Sequence, residues 1–358
     1  MKAAILKAKK QPLTIEQLPD PTPGAGEVVV QVLTVPILAY THEVFSGERD
    51  YPLLLPLAPG VGAIGLIEKT GPDATRLVPG QLVFCDPTVR SRDDVLSPDI
   101  MLQGWIAPTA GAQKLQSHFR HGSFAERMLL PMENAYSLEQ LRSFDPAKLA
   151  WINTMLVPYG GLLAADLQPG QTILVNGATG HFGSAGIAVA LAMGAARVIA
   201  PGRNEQMLNT LVSTFGPRVR PVLISEQEED LSKRFRETAD GPIDCLLDIL
   251  GPMRSTTLTR SGIMALRPGG TAVLMGGIDM PVEIPYKYMM RNNLVVRGQY
   301  MLPKHAPLLL AALIGSGQIN LEPFSVQTFP LEQANQAVEY ARDHGGPFQL
   351  TVLTPTQR

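Results

Sequence analysis

Cysteine is scarce in this chain. Its 358 residues include two cysteines, Cys85 and Cys245, and each lies within an apolar run. Two thiols cannot form a zinc lobe with four cysteine ligands, and their surroundings give no sign of the disulfide framework of a small secreted protein. We therefore predict that both side chains are buried as small hydrophobic groups.

Charge is scarce as well. Charged residues make up 17% of the chain and hydrophobic residues 45%, which is typical of a globular protein and not of a disordered one. The formal net charge is −2, so the basic surface expected of a nucleic-acid binder is missing. We expect no nucleic-acid partner.

Long hydrophobic runs are also missing. Four apolar residues separate Lys2 from Lys7, too few for the core of a signal peptide. The uncharged stretch 177–196 is rich in glycine and indicates the start of a helix rather than a membrane span. We expect a soluble, cytoplasmic protein without a membrane partner.

The first part of the chain, as far as residue 130, has β-branched runs separated by proline and glycine. Strands are predicted at 27–32, 63–69, 81–84 and 123–130, and together they indicate an antiparallel, barrel-like β domain. The polar segment 86–122 lies between two of them. A segment of that length is typical of a lid, a binding loop or a partly disordered region.

The pattern changes near Pro146, where helices begin to alternate with short apolar strands. This alternation indicates βαβ units and a parallel sheet that is covered on both faces. A C-terminal segment that folds back onto the first domain would explain the mixed pattern after residue 300. The predicted strands are 172–176, 196–200, 221–224, 243–247, 271–275, 294–297 and 348–353, and the predicted helices are 183–193, 205–214, 229–238, 256–265 and 306–314.

A glycine-rich segment, Gly177 to Gly183, follows the predicted strand TILVN and begins an alanine-rich helix. Glycines let the backbone turn sharply, so that N–H groups at the helix N-terminus can bind a pyrophosphate. An ordinary turn also uses glycine, but strand, loop, helix and next strand occur here in the order of a dinucleotide-binding unit. The predicted cofactor contacts are Thr179, Gly180, His181, Phe182 and Gly183.

The end of the next strand favours NADPH over NADH. Enzymes that use NAD usually have Asp or Glu there to bind the ribose 2′-hydroxyl, whereas this chain has Arg203 and Asn204. The guanidinium of Arg203 would pair with a 2′-phosphate. A solvated arginine is the alternative, and Glu205 could still bind a ribose.

Two later strands end in further candidate cofactor contacts. Leu250 and Gly251 follow the first of these strands, and Gly276 and Gly277 follow the second. Ligands of open α/β sheets bind at the carboxyl ends of the parallel strands, although turn glycines are the simpler interpretation. We predict that all four residues contact the cofactor.

Several segments together resemble the medium-chain dehydrogenase/reductase superfamily. They are PGAGEVVVQV, PGVGAIGLIEKTGPDATRLVPGQLV, GSFAE, LQPGQTILVNGATGHFGSAGIAVALAMGAARVIA and LRPGGTAVLMGG. The resemblance implies an α/β protein with a GroES-like β-barrel catalytic domain (1–152), a doubly wound parallel-sheet (Rossmann) cofactor domain (153–300) and a C-terminal segment (301–358) that returns to the catalytic domain. It also implies a homodimer formed through the strand at 294–297. Ala178, where alcohol dehydrogenases have glycine, is more like the quinone oxidoreductase branch.

The zinc positions of that family are not matched. Its G-[IV]-C cysteine corresponds to Leu38, its G-H-E segment to Gly60-Val61-Gly62, and its later cysteine falls near Asn153. A catalytic zinc needs about three N, S or O donors. The resemblance therefore implies an enzyme with no metal, in which another group must stabilise the charge that develops on the substrate oxygen.

Three side chains are candidate hydrogen-bond donors for that purpose. Tyr40 lies two residues beyond the lost cysteine, His42 follows it, and Tyr51 resembles the tyrosine of the S-G-x-Y-P segment of quinone reductases, with two extra residues in SGERDYP. A phenol near the nicotinamide could hydrogen-bond a developing enolate. Tyr40 packed in the barrel and His42 on the surface are the alternatives.

These observations predict an NADPH-dependent, zinc-independent oxidoreductase that transfers hydride to a quinone or an α,β-unsaturated carbonyl. The substrate would bind between the two domains. Two alternatives stay open: a ketone or secondary-alcohol oxidoreductase with Tyr40 as the acid, and a catalytically inactive NADPH-binding protein.

Overall fold

The computed structural model describes residues 1–224 and 231–356, and its N-terminal part is organised around one long strand. That strand, Glu27–Ile37, is rich in valine and almost fully buried. The elements of this part are β1 (Lys2–Ile5), β2 (Thr14–Gln17), β3 (Glu27–Ile37), α1 (Thr41–Ser46), β4 (Ala63–Thr70), β5 (Leu82–Cys85), β6 (Thr88–Arg90), β7 (Ile100–Leu102), α2 (Ala110–His118), β8 (Arg127–Pro131) and β9 (Ala135–Ser137). Strands β4 and β8 both pair antiparallel with β3.

The polar segment 86–122 is a folded lobe and not a disordered loop. Strands β6 and β7 form a hairpin, and α2 begins at Thr109, whose side chain accepts a hydrogen bond from the backbone N–H of Ala112. Val89, Met101 and Phe119 form a small core inside it. His118 at the end of α2 bonds Glu27 of β3, which ties the lobe to the first sheet.

The rest of the chain alternates helices and strands. Its elements are α3 (Pro146–Leu149), α4 (Trp151–Ala164), β10 (Thr172–Asn176), α5 (His181–Ala192), β11 (Arg197–Gly202), α6 (Glu205–Phe215), β12 (Val219–Leu223), α7 (Leu231–Ala239), β13 (Cys245–Asp248), α8 (Thr257–Ala265), β14 (Thr271–Leu274), α9 (Tyr286–Arg291), β15 (Val295–Gly298), α10 (Ala306–Gly315), β16 (Ser325–Pro330), α11 (Ala334–His344) and β17 (Gln349–Thr354). These bounds agree with the predicted ones to within a few residues, except that the first two residues of the predicted helix 229–238 lie outside the described residues.

Six of the described strands form a parallel sheet in the order β12-β11-β10-β13-β14-β15. Alternate residues of β10 contact different layers: Ile173 and Val175 join the hydrophobic cluster of α4 and α5, whereas Leu174 joins that of α7 and α8. Helices therefore cover both faces, which is why the strands are apolar throughout. Cys85 and Cys245 are both buried, as predicted.

The C-terminal strands belong to the first sheet. Within the described chain, that sheet runs β16-β17-β3-β4-β5-β9, with β8 beside β3, and β17 pairs antiparallel with β3. Trp151 of α4, Val175 of β10 and Val352 of β17 lie in one hydrophobic cluster, so the two sheets share a core. This shared core holds the cleft between them in a defined geometry.

Strand β15 is one of the two edge strands of the parallel sheet among the described residues, and the side chain of Val295 on it is exposed. The homodimer through this strand stays a prediction. Within residues 1–224 and 231–356, no helix has the length and apolarity needed to cross a bilayer.

Candidate active-site cleft

The glycine-rich loop closes tightly on the first turn of α5. Gly177 has a φ of +85°, in the region that favours glycine. A Cβ atom added to Gly183 would lie 2.6 Å from the carbonyl carbon of Gly177 and closer still to its oxygen, so residue 183 must be glycine. Helix α5 has no side-chain cap at Gly180. Its first N–H groups therefore remain available to an anionic group.

This loop lines a cleft with a volume of about 1270 Å³, large enough for a dinucleotide and a small substrate. Twelve of the fourteen predicted site residues line it: Tyr40, Tyr51, Thr179, Gly180, His181, Phe182, Gly183, Arg203, Leu250, Gly251, Gly276 and Gly277. The fold brings these residues together from both sheets. Loop residues and strand ends of the parallel sheet form one end of the cleft, and the two tyrosines belong to the other.

Two predicted site residues do not line the cleft. The ring Nδ1 of His42 lies 3.1 Å from the carbonyl oxygen of Ala39, which is a local contact next to α1. Asn204 is the N-cap of α6, and its Oδ1 accepts a hydrogen bond of 3.1 Å from the backbone N–H of Met207. Capping therefore accounts for Asn204, and nothing directs either side chain at a ligand.

The described part of the cleft lining is positively charged. Its ionic residues are Arg49, Arg203 and Arg254, and it contains no Asp or Glu. Arg203 follows β11, next to the loop: a Cβ on Gly202 would come within 2.7 Å of the Thr179 side chain. Arg254 was not predicted as a site residue. Its position three residues after Gly251, a predicted cofactor contact, could have indicated it. Such a lining favours anionic ligands.

The substrate end contains an aromatic cluster of Tyr40, Tyr51 and Trp105. The rings of Tyr40 and Tyr51 meet that of Trp105 edge-on, with centroids 6.0 and 6.2 Å apart. Arg49, which was also not predicted, lies with its Cζ 4.1 Å from the Tyr40 ring centroid. Its Nε and Nη2 donate to Oε2 of Glu43 at 3.0 and 2.7 Å. This ion pair fixes the guanidinium over the phenol.

Tyr40 is protonated at neutral pH. Burial raises its pKa well above the ordinary value of 10, and Tyr51 adds to that, while the charge of Arg49 and a hydrogen bond with Trp105 act in the opposite direction. A protonated phenol beside a cation can donate a hydrogen bond, and the cation stabilises negative charge that develops on the oxygen. The arrangement suits a hydrogen-bond donor.

The side chain of His181 packs against α4 and does not only cover the cofactor site. The ring stacks on Trp151 with centroids 4.9 Å apart, and its Nε2 lies 3.0 Å from Oγ1 of Thr154. Burial lowers its pKa from 6.5 to about 4. The imidazole therefore stays neutral and ties the glycine-rich loop to α4, which leaves its backbone N–H for the cofactor.

The neutral state of His181 should make stability depend on pH. Between pH 6.5 and about 4 the unfolded chain binds a proton that the native ring does not, so the free energy of unfolding contributed by this site falls as the pH drops through that window. When the pH is lowered from 7 to 4.5, we expect the free energy of unfolding of His181→Gln to fall by about 2 kcal/mol less than that of the wild type. Urea unfolding of both proteins at pH 7 and pH 4.5 measures it, and identical losses would contradict the assignment.

Comparisons with known proteins agree with this fold. The family model described as alcohol dehydrogenase GroES-like domain matches residues 24–140, and the one described as zinc-binding dehydrogenase matches residues 182–313. Together they confirm the α/β class with a GroES-like part and a Rossmann-type parallel sheet.

Two curated relatives match over almost their whole length. Sorbitol dehydrogenase of Gallus gallus is 24% identical, and the match covers 99% of this chain and 97% of that protein. Acryloyl-coenzyme A reductase of Metallosphaera sedula is 25% identical, with 96% and 97% covered.

Solved structures show the same fold. Alcohol dehydrogenase TADH from Thermus sp. ATN1 superposes with a TM-score of 0.82 at 22% identity, covering 99% of each chain. A dehydrogenase from E. coli CFT073, complexed with NADH, has a TM-score of 0.78 at 18% identity, again over 99% of each chain.

The donors in the cleft do not fit the zinc that one family description implies. Leu38 and Val61 line the substrate end with apolar side chains, and Asn153 adds one neutral amide. Among the described residues no group of three or more His, Cys, Asp or Glu could hold a metal ion. Zinc needs about three such donors at one point, so the described residues of the cleft do not form a zinc site.

Proposed function

We propose that this chain is an oxidoreductase of the medium-chain dehydrogenase/reductase superfamily that uses NADPH to reduce a quinone or an α,β-unsaturated carbonyl without zinc, and its two matching domain models support the superfamily. One observation carries the proposal. A single cleft joins a glycine-rich loop and Arg203 at one end to a protonated tyrosine and an apolar wall at the other.

The cofactor end has the groups that a phosphorylated dinucleotide requires. Bound NADPH would supply the hydride. The N–H groups at the start of α5 would bind its pyrophosphate, and Arg203 would pair with its 2′-phosphate. Gly276 and Gly277 line the cleft at the carboxyl end of β14, where the nicotinamide half would bind.

The substrate end suits a conjugated acceptor. Leu38, Val61 and Trp105 line this end with apolar surface, which would exclude water from the reacting atoms of a bound substrate. Tyr40 holds a proton for the substrate oxygen. Conjugation spreads the developing charge over the acceptor itself, so hydrogen-bond donors suffice where a simple ketone would need a stronger electrophile. The relative named acryloyl-coenzyme A reductase is named for a substrate of this conjugated kind.

Reduction of simple ketones is the second candidate, because the relatives include sorbitol dehydrogenases. Oxidation of NADPH by a quinone, an enone and the matching saturated ketone separates the candidates. We expect the enone or quinone to be reduced at least ten times faster than the ketone. Preference for the ketone would favour the second candidate, and no turnover with any acceptor would indicate a catalytically inactive binding protein.

Arg203 should determine the choice between the two nicotinamide cofactors. A charge-assisted pair with phosphate contributes about 1.5–3 kcal/mol, or roughly 10- to 100-fold. We therefore expect Arg203→Ala to lower kcat/KM for NADPH by about 30-fold and to leave kcat/KM for NADH within threefold. Arg197→Ala is the matched control, because Arg197 begins the same strand but bonds Asp240 outside the cleft. An equal loss with both cofactors would remove Arg203 from this role.

A further inference from the structure

The side chain of Asn153 is an amide in the cleft that neither the proposed cofactor contacts nor the aromatic cluster includes. The residue lies in the first turn of α4, is 7% exposed and lines the cleft. Its backbone N–H donates to Ala150, but its amide has no hydrogen-bond partner among the described residues. The buried amide of Asn134, by contrast, donates to two carbonyl oxygens. Gln116 and Asn176 contain fully buried amide atoms without a partner, whereas the Asn153 amide meets the cleft, where a bound ligand could accept its hydrogen bond.

The position of that amide is tightly constrained. Its Oδ1 packs against Gly62, where an added Cβ would come within 2.5 Å of it. The next residue, Thr154, bonds the ring of His181 in the glycine-rich loop at 3.0 Å. One turn further along α4, Pro158 packs against Gly186 of α5. The amide is therefore held on a rigid element between the apolar wall of the substrate end and the cofactor loop.

We propose that Nδ2 of Asn153 donates a hydrogen bond to the carbonyl oxygen of the substrate. This rests on the proposed function. Hydride from NADPH forms a C–H bond at the β-carbon, the C=C electron pair moves to give an enolate oxygen, and NADPH is oxidised to NADP⁺. Asn153 stabilises that oxyanion, Tyr40 passes a proton to the enolate to complete the reduction, and the phenolate of Tyr40 recovers a proton from solvent.

An amide is well suited to this role at this place. It is a donor without net charge, so it need not be neutralised in the empty cleft as a buried lysine would be. Leu38 and Val61 line the same cleft with apolar side chains, and an apolar setting strengthens a hydrogen bond to developing charge. A carboxylate there would instead repel the oxyanion.

Two variants test the role. Asn153→Asp keeps the shape of the side chain but replaces the N–H donor with an oxygen, and Asn153→Leu removes all polarity at similar volume. We expect both to lower kcat for enone reduction about 100-fold, with the Kd of NADPH, measured by fluorescence titration, within twofold of the wild-type value. Asn153→Leu should keep the wild-type melting temperature, because it removes an unpaired polar group. This variant keeps the test valid if Asn153→Asp folds poorly.

The outcomes separate this inference from the function on which it rests. If the wild type reduces enones and both variants keep their kcat, Asn153 is not the donor. If the Kd of NADPH rises as much as kcat falls, the amide serves the cofactor and the inference is overturned. If the wild-type protein reduces no conjugated acceptor at all, the proposed function fails first.

Discussion

Alanine at position 183 should abolish NADPH binding at concentrations that saturate the wild-type protein. The added Cβ would lie 2.6 Å from the carbonyl carbon of Gly177 and 2.8 Å from Cα of Ala178. Both are backbone atoms, so the loop itself must move and its N–H groups lose their alignment with the pyrophosphate. We expect the Kd of NADPH to rise at least 100-fold, because a displacement of about 1 Å has effects of that size at positioned sites.

Fluorescence titration with NADPH measures this effect. Gly298→Ala is the matched control in the same sheet, since nothing lies within 4 Å of a Cβ added there, and its Kd should stay within twofold. A Gly183→Ala protein with normal affinity would show that the dinucleotide does not bind at the start of α5. Circular dichroism establishes that the variant is folded before it is titrated.

Tyr40→Phe should lower kcat by about 100-fold and change KM by less than threefold. General acids contribute about 10²- to 10⁴-fold, and an interaction made mainly in the transition state affects kcat rather than KM. The phenol is protonated and its ring is packed against Arg49, so removing the hydroxyl deletes the donor without changing the volume of the site. Steady-state kinetics with an enone and NADPH measures both constants.

Tyr159→Phe is the control for that experiment. Tyr159 is buried in α4 and does not line the cleft, so its loss of a hydroxyl should leave kcat within twofold. An unchanged kcat in Tyr40→Phe would mean that Tyr40 is a packing residue of the aromatic cluster. In that case Tyr51, which belongs to the same aromatic cluster and lines the cleft, is the next hydrogen-bond donor to test.

The cofactor end of the cleft could be predicted because its parts are neighbours in sequence. β10, the glycine-rich loop and the start of α5 form a continuous segment of the chain, and glycine at 177 and 183 has a local steric cause. Asn204 shows the limit of such reasoning. A polar residue after a strand and before a helix can bind a ribose or cap the helix, and the hydrogen bond to Met207 identifies it as a cap.

The substrate end could not be predicted to the same degree. Arg49 faces the cleft because Glu43 holds it over Tyr40, and Trp105 reaches the same cluster from the folded lobe. That lobe is stabilised by contacts such as Glu27 with His118 and Arg92 with Glu133, which join distant parts of the chain. Local sequence patterns carry no information about such pairs.

The sequence by itself determined the fold class, the order of the strands and helices, and the loop that suits a dinucleotide, because hydrophobic periodicity and glycine sterics act over a few neighbouring residues. Only the tertiary structure decided which side chains share the substrate end. Tyr40, Trp105 and Asn153 come from three separate segments, and the packing that unites them also leaves the Asn153 amide without a protein partner among the described residues. An unsatisfied hydrogen bond is a property of the assembled site, since water satisfies every such group in the unfolded chain.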